Sequence, residues 1–429
     1  MNLRKWFGLR GLSYVGRRAA ILLSRYGLTP GRAIRRVKDS TTALAGFGCV
    51  PTFPTPGRIV ERYPRFIREL QDAGAEIAVH GYDHVDLTTY APAKASEQLS
   101  RASRAFRQHG IQVHGFRCPY LSCTDGLLAE LPAGAFGYSS NRAVWWDVVP
   151  PTEAQDATVI FHALDRFYKP ASADDVVCVP WMRAQVVEIP VSLPDDLQLH
   201  DGLHLDPEGM TQAWSRILQR THQRGELFVL QFHPELAWRC LQPLEAVLRE
   251  AARLRPPVWV ARLQDVADWW QEKSALAITV SEDSGRLHIT FASSERATIL
   301  VRGLSDQEAE PKWHGPYRRL RGRELVTAAE PRPFVGLPSG ASEHVLSFLR
   351  DQGYILEVGD TAPRCAIYLD LDTLARLTSE VALIDNIEAQ PGPMVRYWRW
   401  PDGAGSALCI SGDLDALTLL DYVSRLFAR

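Results

Sequence analysis

Apolar residues form short continuous runs over the first two thirds of this chain, and helical spacings of apolar residues lie between these runs. The runs are five to seven residues long, as expected for buried strands, and occur at 49–53, 76–80, 113–118, 186–192, 227–233 and 258–263. Helical spacings occupy 58–73, 91–109, 207–224 and 241–254. This alternation predicts an α/β fold with a parallel sheet or a barrel, in which ligands bind at the carboxyl ends of strands.

The pattern changes after residue 270. Residues 275–303 predict three strands without intervening helices, 344–358 a helix leading into a strand, and 365–370 a further strand. Near the end of the chain, the apolar run SALCISG precedes an acidic turn and a helix. We therefore predict four parts: a basic helical segment at 1–38, an α/β barrel at 39–270, an inserted β-rich and α+β region at 271–394, and a strand–helix unit at 395–429.

Charge is distributed unevenly along the chain. The formal net charge is −2, which argues against a surface devoted to nucleic acid. Residues 1–38, however, carry eight Arg and two Lys without an acidic residue. Residues 12–26 can form a helix with one apolar face, so this segment either packs on the fold or contacts an anionic membrane surface. Both interpretations remain open at this point.

Cysteine usage and hydropathy bear on the compartment. The seven cysteines are scattered and form no CxxC pair, which indicates free thiols rather than disulfides or a zinc ribbon. No apolar run reaches the roughly 18 residues of a transmembrane helix, and Arg17 and Arg18 interrupt any signal-peptide core. We predict a cytoplasmic protein that can associate peripherally with the inner face of the membrane.

The strongest candidate for chemistry is a pair of histidines after an apolar run. His80 and His84 stand four residues apart in EIAVHGYDH, directly after a predicted strand. Two imidazoles at a strand end can bind one metal ion, although spaced histidines also arise by chance. A catalytic site of the zinc type has three protein ligands and an open position for water.

Two further predicted strands end in polar residues. Arg117 begins the segment RCPY, and its guanidinium can hold a carboxylate with two hydrogen bonds. His233 ends the run LFVLQF, where an imidazole can act as a general acid or base. Alone, each has an ordinary alternative, a surface arginine beside a turn proline and a buried core histidine.

Together, HGYDH, RCPY and LQFH resemble the polysaccharide deacetylase (NodB homology) domain, carbohydrate esterase family 4, in the family's own order. The resemblance covers roughly residues 40–265. It implies a distorted (β/α) barrel that hydrolyses N-acyl groups on sugars. One feature of the family is missing from the expected place, because the segment ALAGFGCVPTFPTPG contains none of the acidic residues that the family's first strand carries.

The acidic residues occur instead near the C-terminus. Asp413 and Asp415 follow the run SALCISG in a D-x-D arrangement, 329 residues after His84 (413 − 84). This position fits a circular permutation in which the C-terminus supplies the first barrel strand. The alternative is an acidic turn that caps the following helix.

The resemblance implies a role for each candidate residue. His80, His84 and Asp415 would hold a divalent transition metal, with zinc first and cobalt, nickel or manganese as alternatives. Asp413 would take a proton from water with Arg117 holding its carboxylate, and the backbone N–H of Tyr120 would stabilise the oxyanion. His233 would protonate the leaving amine, and Asp147 would orient His233.

Three functions remain open beside deacetylation of a sugar or polysaccharide. The same site could remove a formyl group or open another amide on a lipid-linked glycan, which the basic N-terminus would bring to anionic lipid. A barrel without catalysis could bind carbohydrate as a scaffold. Nucleic-acid binding by the basic segment ranks lowest, since no recognition motif accompanies the charge.

Overall fold

The computed structural model describes residues 22–149, 168–304 and 309–425. The first eleven strands are β1 Thr52–Thr55, β2 Glu76–Val79, β3 Gly115–Phe116, β4 Tyr138–Ser139, β5 Ala143–Trp145, β6 Ala171–Ser172, β7 Trp181–Arg183, β8 Val186–Glu188, β9 Val191–Leu193, β10 Leu227–Phe232 and β11 Val258–Val260. The remaining strands are β12 Ala277–Asp283, β13 Arg286–Ala292, β14 Ile299–Arg302, β15 Ala309–His314, β16 Tyr317–Leu320, β17 Glu324–Ala328, β18 Arg332–Leu337, β19 Leu356–Val358, β20 Cys365–Tyr368, β21 Met394–Tyr397 and β22 Ser406–Gly412.

Helices alternate with the strands in the first part of the chain. The α-helices are α1 Gly31–Ala45, α2 Gly57–Arg62, α3 Pro64–Asp72, α4 Pro92–Gln108, α5 Asp125–Ala129, α6 Pro207–Arg224, α7 Ala237–Ala251, α8 Leu263–Ser274, α9 Glu343–Asp351, α10 Leu371–Arg376, α11 Glu380–Ala389 and α12 Leu419–Ser424. Within the described ranges, no helix combines the length and apolarity needed to cross a bilayer.

The large sheet contains twelve strands and includes the C-terminal strand at its centre. Its order is β6-β5-β9-β10-β22-β1-β2-β3-β4-β8-β7, and β11 also pairs with β22. In this sheet β22 is parallel to β10 over six residue pairs and to β1 at Thr52–Ser411. The predicted distorted (β/α) barrel, with one strand supplied by the C-terminus, is therefore confirmed.

Parallel pairing brings the carboxyl ends of four strands to one edge. Phe232 is level with Gly412 across β10 and β22, and Val79 is level with Phe116 across β2 and β3. All residues of β10 and β22 are buried, as expected for strands covered on both faces. The polar residues that follow these strands must therefore meet at the same edge of the sheet.

Three smaller sheets lie between β12 and β21. They are the antiparallel sheet β12-β13-β17, the antiparallel sheet β15-β16-β14-β21 and the parallel sheet β19-β18-β20. The predicted strand-only character of 275–303 is confirmed. The three boundaries between the four predicted parts stay predictions, although α1 continues across the boundary at 38 and β21 extends beyond the boundary at 394.

Two predicted elements are divided by proline. The predicted helix at 58–73 is two helices, since Pro64 begins a new helix at its first position. The predicted strand at 186–192 is β8 and β9, because Pro190 has no N–H for a continuous ladder. Most of the predicted helix at 12–26 lies outside the described residues, and residues 22–26 are helical.

Gly412 at the end of β22 tests how tightly this strand is enclosed. A Cβ atom at this position would lie 2.7 Å from Pro234 Cγ and 3.0 Å from Phe53 Cε1. We expect Gly412→Ala to lower the unfolding free energy by about 1–3 kcal/mol through overpacking, measured by urea denaturation. Gly31→Ala is the control, because a Cβ there meets nothing within 4 Å. Equal stabilities of the two variants would contradict the central position of β22.

Candidate metal and active site

Six of the eight predicted site residues extend from the carboxyl ends of four parallel strands and lie close together. They are His80 and His84 after β2, Arg117 after β3, His233 after β10, and Asp413 and Asp415 after β22. Their exposed fractions lie between 0% and 8%. The acidic residues of the C-terminal strand therefore face the histidines of the N-terminal part of the chain.

His80, His84 and Asp415 form a group that could hold a metal ion. Oδ1 of Asp415 lies 3.1 Å from Nε2 of His84 and 3.5 Å from Nε2 of His80. One ligand atom from each residue falls within 4.8 Å of the others, and all three residues are buried. Two imidazoles and one carboxylate are a donor set that suits zinc and neighbouring transition metals.

The unused polar atoms of this group fit a bound ion. Nδ1 of His80 lies 2.9 Å from the carbonyl oxygen of Arg117, which can only accept, so Nδ1 carries the hydrogen. Nε2 of His80 then has a free lone pair. Nε2 of His80 and Oδ1 of Asp415 are both buried and have no hydrogen-bond partner among the described residues. A buried polar atom without a hydrogen bond lowers the stability of a protein unless a ligand, ion or water binds to it.

The protonation of these residues also suits a cation. Burial lowers the pKa of His84 to about 4, which leaves the imidazole neutral at pH 7. Burial opposes ionisation of Asp415, but His84 and Arg425 hold the pKa of its carboxyl well below the usual range. A neutral imidazole and an ionised carboxylate are the forms that bind metals.

Asp413 accepts hydrogen bonds from two side chains beside this group. Nη1 of Arg117 donates to Oδ1 of Asp413 over 2.8 Å and to the hydroxyl of Ser411 over 3.0 Å. Nε2 of Gln231 donates to Oδ2 of Asp413 over 3.0 Å. The same Oδ2 lies 3.8 Å from Nε2 of His80. The carboxylate is thus fixed in orientation at the edge of the candidate metal group.

His233 is oriented by Asp196. Nδ1 of His233 lies 2.7 Å from Oδ1 of Asp196, and the backbone N–H of His233 donates to Oδ2 of the same carboxylate over 2.8 Å. Burial lowers the pKa of His233, but the charge and hydrogen bond of Asp196 outweigh it and raise the pKa to about 10. His233 is therefore protonated at neutral pH, and Nε2 lies 4.0 Å from Oδ2 of Asp415.

The prediction that Asp147 orients His233 is wrong, because Asp196 makes that contact. Asp147 is exposed after β5, where its carbonyl oxygen accepts from Arg220. Strand β9 lies between β5 and β10 in the sheet, so residues after β9 are the ones beside His233. Asp195 and Asp196 follow β9 after Pro194. The strand-end rule that identified His80 and Asp413 would have identified Asp196 as well.

Tyr120 lies beside the histidines in an uncommon backbone conformation. Its φ is 62°, in the left-handed region, and that of Leu121 is 55°. Its ring packs edge-on against His84 with 4.8 Å between ring centroids. Non-glycine residues in this region cost energy and are concentrated at functional sites.

Part of the chain matches a known protein family. Residues 36–135 match the family model described as polysaccharide deacetylase. This range contains His80, His84, Arg117 and Tyr120. The resemblance predicted from the sequence is thereby confirmed over this range.

Two curated relatives match a similar length. A peptidoglycan deacetylase-like protein of Gibberella zeae is 31% identical over 91 residues, which is 21% of this chain and 27% of that protein. A chitooligosaccharide deacetylase of a Bradyrhizobium species is 33% identical over 101 residues, which is 23% of this chain and 44% of that protein. This chain thus spans less than half the length of either relative.

One solved structure provides a further likeness. A Mycobacterium smegmatis protein, described provisionally as a polysaccharide deacetylase, aligns over 59% of this chain and 82% of its own. The TM-score is 0.42 and the sequence identity is 21%.

Replacing Asp196 tests the origin of the raised pKa of His233. In Asp196→Asn the opposing charge is lost and burial dominates, so the pKa of His233 should fall from about 10. The protonated form would then be lost as the pH rises through the lower value. Titration of histidine ring NMR signals in the metal-free protein, with His233→Gln for assignment, measures it.

Asp147→Asn is the matched control for this experiment, since it removes an exposed carboxylate by the same chemical change. We expect it to leave the pKa of His233 near its original value. A shift in Asp147→Asn without one in Asp196→Asn would contradict the assignment of Asp196.

Proposed function

The chain carries a polysaccharide deacetylase segment at residues 36–135, and on that premise we propose that it is a metal-dependent hydrolase of N-acyl groups on sugars. The observation that carries the proposal is the buried group of His80, His84 and Asp415, which joins this segment to the C-terminal strand. The acyl group we propose is acetyl, and the product is a free amino sugar. The metal we propose is zinc.

The proposal assigns Asp413 the role of general base. A divalent metal held by His80, His84 and Asp415 would polarise the acyl oxygen and lower the pKa of water. Oδ2 of Asp413 lies 3.8 Å from Nε2 of His80, so its carboxylate can reach a water beside that group. Arg117 and Gln231 hold the carboxylate in place, which limits the orientations that it samples.

His233 has the properties of the general acid in this proposal. It is protonated at neutral pH, and it lies within 4.0 Å of Asp415 at the edge of the same group. It can give its Nε2 proton to the departing nitrogen, after which Asp196 still fixes the ring. The two proton-transfer residues extend from neighbouring strands, Asp413 from β22 and His233 from β10.

The backbone N–H of Tyr120 is our candidate for stabilising the oxyanion. The left-handed conformation of Tyr120 turns the chain sharply after Cys118, and its ring contacts His84. A peptide N–H near the metal group would stabilise the charge that develops on the acyl oxygen. The strained backbone supports this role, because such conformations persist where the surrounding structure enforces them.

The substrate proposal includes two alternatives that an assay can separate. Hydrolysis of a formyl group or of another amide on a lipid-linked glycan would use the same residues. It would give formate, or the carboxylic acid of that other amide, in place of acetate. A carbohydrate-binding barrel without catalysis would bind the glycan and release nothing. The protonated His233 and the fixed Asp413 favour a hydrolase over the binding barrel, since binding alone requires neither.

We also propose that basic residues near the N-terminus contact an anionic membrane, and the structure limits which of them can do so. Arg25 pairs with Glu235 at 2.6 Å, and Arg36 donates to the carbonyl oxygen of Glu235. Both guanidinium groups are therefore engaged in contacts within the protein. The cations of residues 1–21 are therefore the ones to remove. Loss of those residues should reduce co-sedimentation with anionic vesicles, and equal binding with and without them would refute membrane contact.

Acetate release from N-acetylglucosamine oligomers tests the proposed function. The zinc-loaded wild-type protein should release acetate, and Asp413→Asn should be slower by at least about 100-fold with its zinc retained. The control is Asp147→Asn, which removes an exposed carboxylate. Release that is equal in wild type and Asp413→Asn would contradict the assigned base, and no release by the zinc-loaded wild type would contradict deacetylation.

A further inference from the structure

Arg425, the residue after α12, contacts the candidate metal ligand Asp415. Its Nη1 lies 3.1 Å from Oδ2 of Asp415, and the two side chains are 11% and 10% exposed. Nη2 of Arg425 lies 3.4 Å from the hydroxyl of Tyr26, and the guanidinium lies over the ring of Tyr422 at 4.7 Å. The rings of Tyr26 and Tyr422 are stacked at 5.2 Å. Segments from both ends of the described chain thus hold one cation at the site.

Because of this contact, the two carboxylate oxygens of Asp415 have different neighbours. Oδ1 faces His80 and His84, whereas Oδ2 accepts from Arg425. A carboxylate held in this way presents one oxygen, in a fixed direction, to an ion between the histidines. The arrangement is ordered without an ion, because the guanidinium already supplies the opposing charge.

Two other buried carboxylates at the site, Asp413 and Asp196, have cationic partners of their own. Arg117 pairs with Asp413, and His233 pairs with Asp196. Oδ1 of Asp415 faces His80 and His84, and Arg425 is the nearest cation to Oδ2 among the described residues. Nε2 of His233 lies farther from the same Oδ2, at 4.0 Å. A divalent ion bound at Oδ1 would then lie near a positive charge that is buried with it. Like charges in a poorly solvated site repel each other strongly.

We propose that Arg425 is a positioning residue and built-in counter-ion of Asp415, which keeps the metal-free site assembled and weakens metal binding. By drawing charge from Oδ2, Arg425 makes Asp415 a poorer donor, which leaves a bound ion more electron-poor. Groups that contact the ligands of a metal commonly tune affinity and acidity in this way. This inference rests on the proposed function, because it takes His80, His84 and Asp415 as the ligands.

Zinc alone is the probe that tests this inference. In Arg425→Gln the metal-free protein should unfold at a lower temperature, since the buried Asp415 loses its nearest cation and keeps only His233, at 4.0 Å. Zinc should bind at least about tenfold more tightly than in wild type, because the repulsion is lost. The rise in Tm on adding zinc should be correspondingly larger, by about 2 °C or more. Calorimetric titration and thermal unfolding measure the two quantities.

Arg62→Gln is the matched control. Arg62 pairs with Asp421 in α12 and so holds the same helix, but none of its contacts described here involves Asp415. It should lower the Tm without changing the zinc dissociation constant. Arg425→Lys keeps the positive charge and should bind zinc with an affinity near that of wild type.

The outcomes separate this inference from the proposed function. Zinc binding by wild type, with equal or weaker binding by Arg425→Gln, overturns the counter-ion role alone. Absence of zinc binding in both proteins overturns the proposed function and the inference together. Zinc binding by Arg425→Gln alone supports the counter-ion role and contradicts a zinc-dependent function of the wild type.

A double variant keeps the test decisive if Arg425→Gln fails to fold. Asp415→Asn combined with Arg425→Gln replaces the ion pair with two neutral amides of similar shape. The metal-free double variant should be more stable than Arg425→Gln alone, because no unpaired charge is buried. A double variant that is no more stable would show that Arg425 does not serve as the counter-ion.

Discussion

Backbone pairing of β22 with β10 and β1 determines where Asp413 and Asp415 lie in the candidate site. The ladder with β10 runs from Leu227–Ala407 to Phe232–Gly412 and so places Asp413 level with His233. A shift of one residue in this register would turn the alternating side chains of β22 to the opposite faces of the sheet. Two parts of the chain that are more than 300 residues apart can therefore form one site without a long-range side-chain network.

Burial of charge imposes the second constraint. Three buried carboxylates near the strand ends each have a cationic partner, namely Arg117 for Asp413, His233 for Asp196 and Arg425 for Asp415. Removing either member of such a pair leaves a buried charge unpaired, which is strongly destabilising. Among the described residues, Nε2 of His80 and Oδ1 of Asp415 are buried without a hydrogen-bond partner, and these are the atoms that we propose face a metal ion.

The polar residues that end apolar runs were predictable from the sequence. His80, Arg117, His233 and Asp413 each follow a continuous run, and parallel strands place such residues at one edge whatever the order of the strands. The order itself was not predictable, because β9 is inserted between β5 and β10 through pairings that local sequence does not encode. For that reason Asp147 was predicted to orient His233, where the structure places Asp196.

Contacts that the terminal segments make with distant parts of the chain could not be predicted from the sequence either. Arg25 reaches Glu235 across 210 positions, and Arg425 approaches Tyr26 across 399. Neither pair has a spacing or motif that marks it, since both arise where the terminal segments pack on the finished barrel. Pro64 and Pro190 were visible in the sequence, and their missing N–H groups account for the two elements that were predicted as continuous but are divided.

The proposed metal site is tested most directly by anomalous diffraction from crystals of the zinc-loaded protein, measured above and below the zinc absorption edge. We expect a zinc peak bounded by the imidazoles of His80 and His84 and by Oδ1 of Asp415, which is lost in Asp415→Asn. A peak at another place, or a peak at the histidines that persists in Asp415→Asn, would show that the C-terminal strand does not complete a metal site.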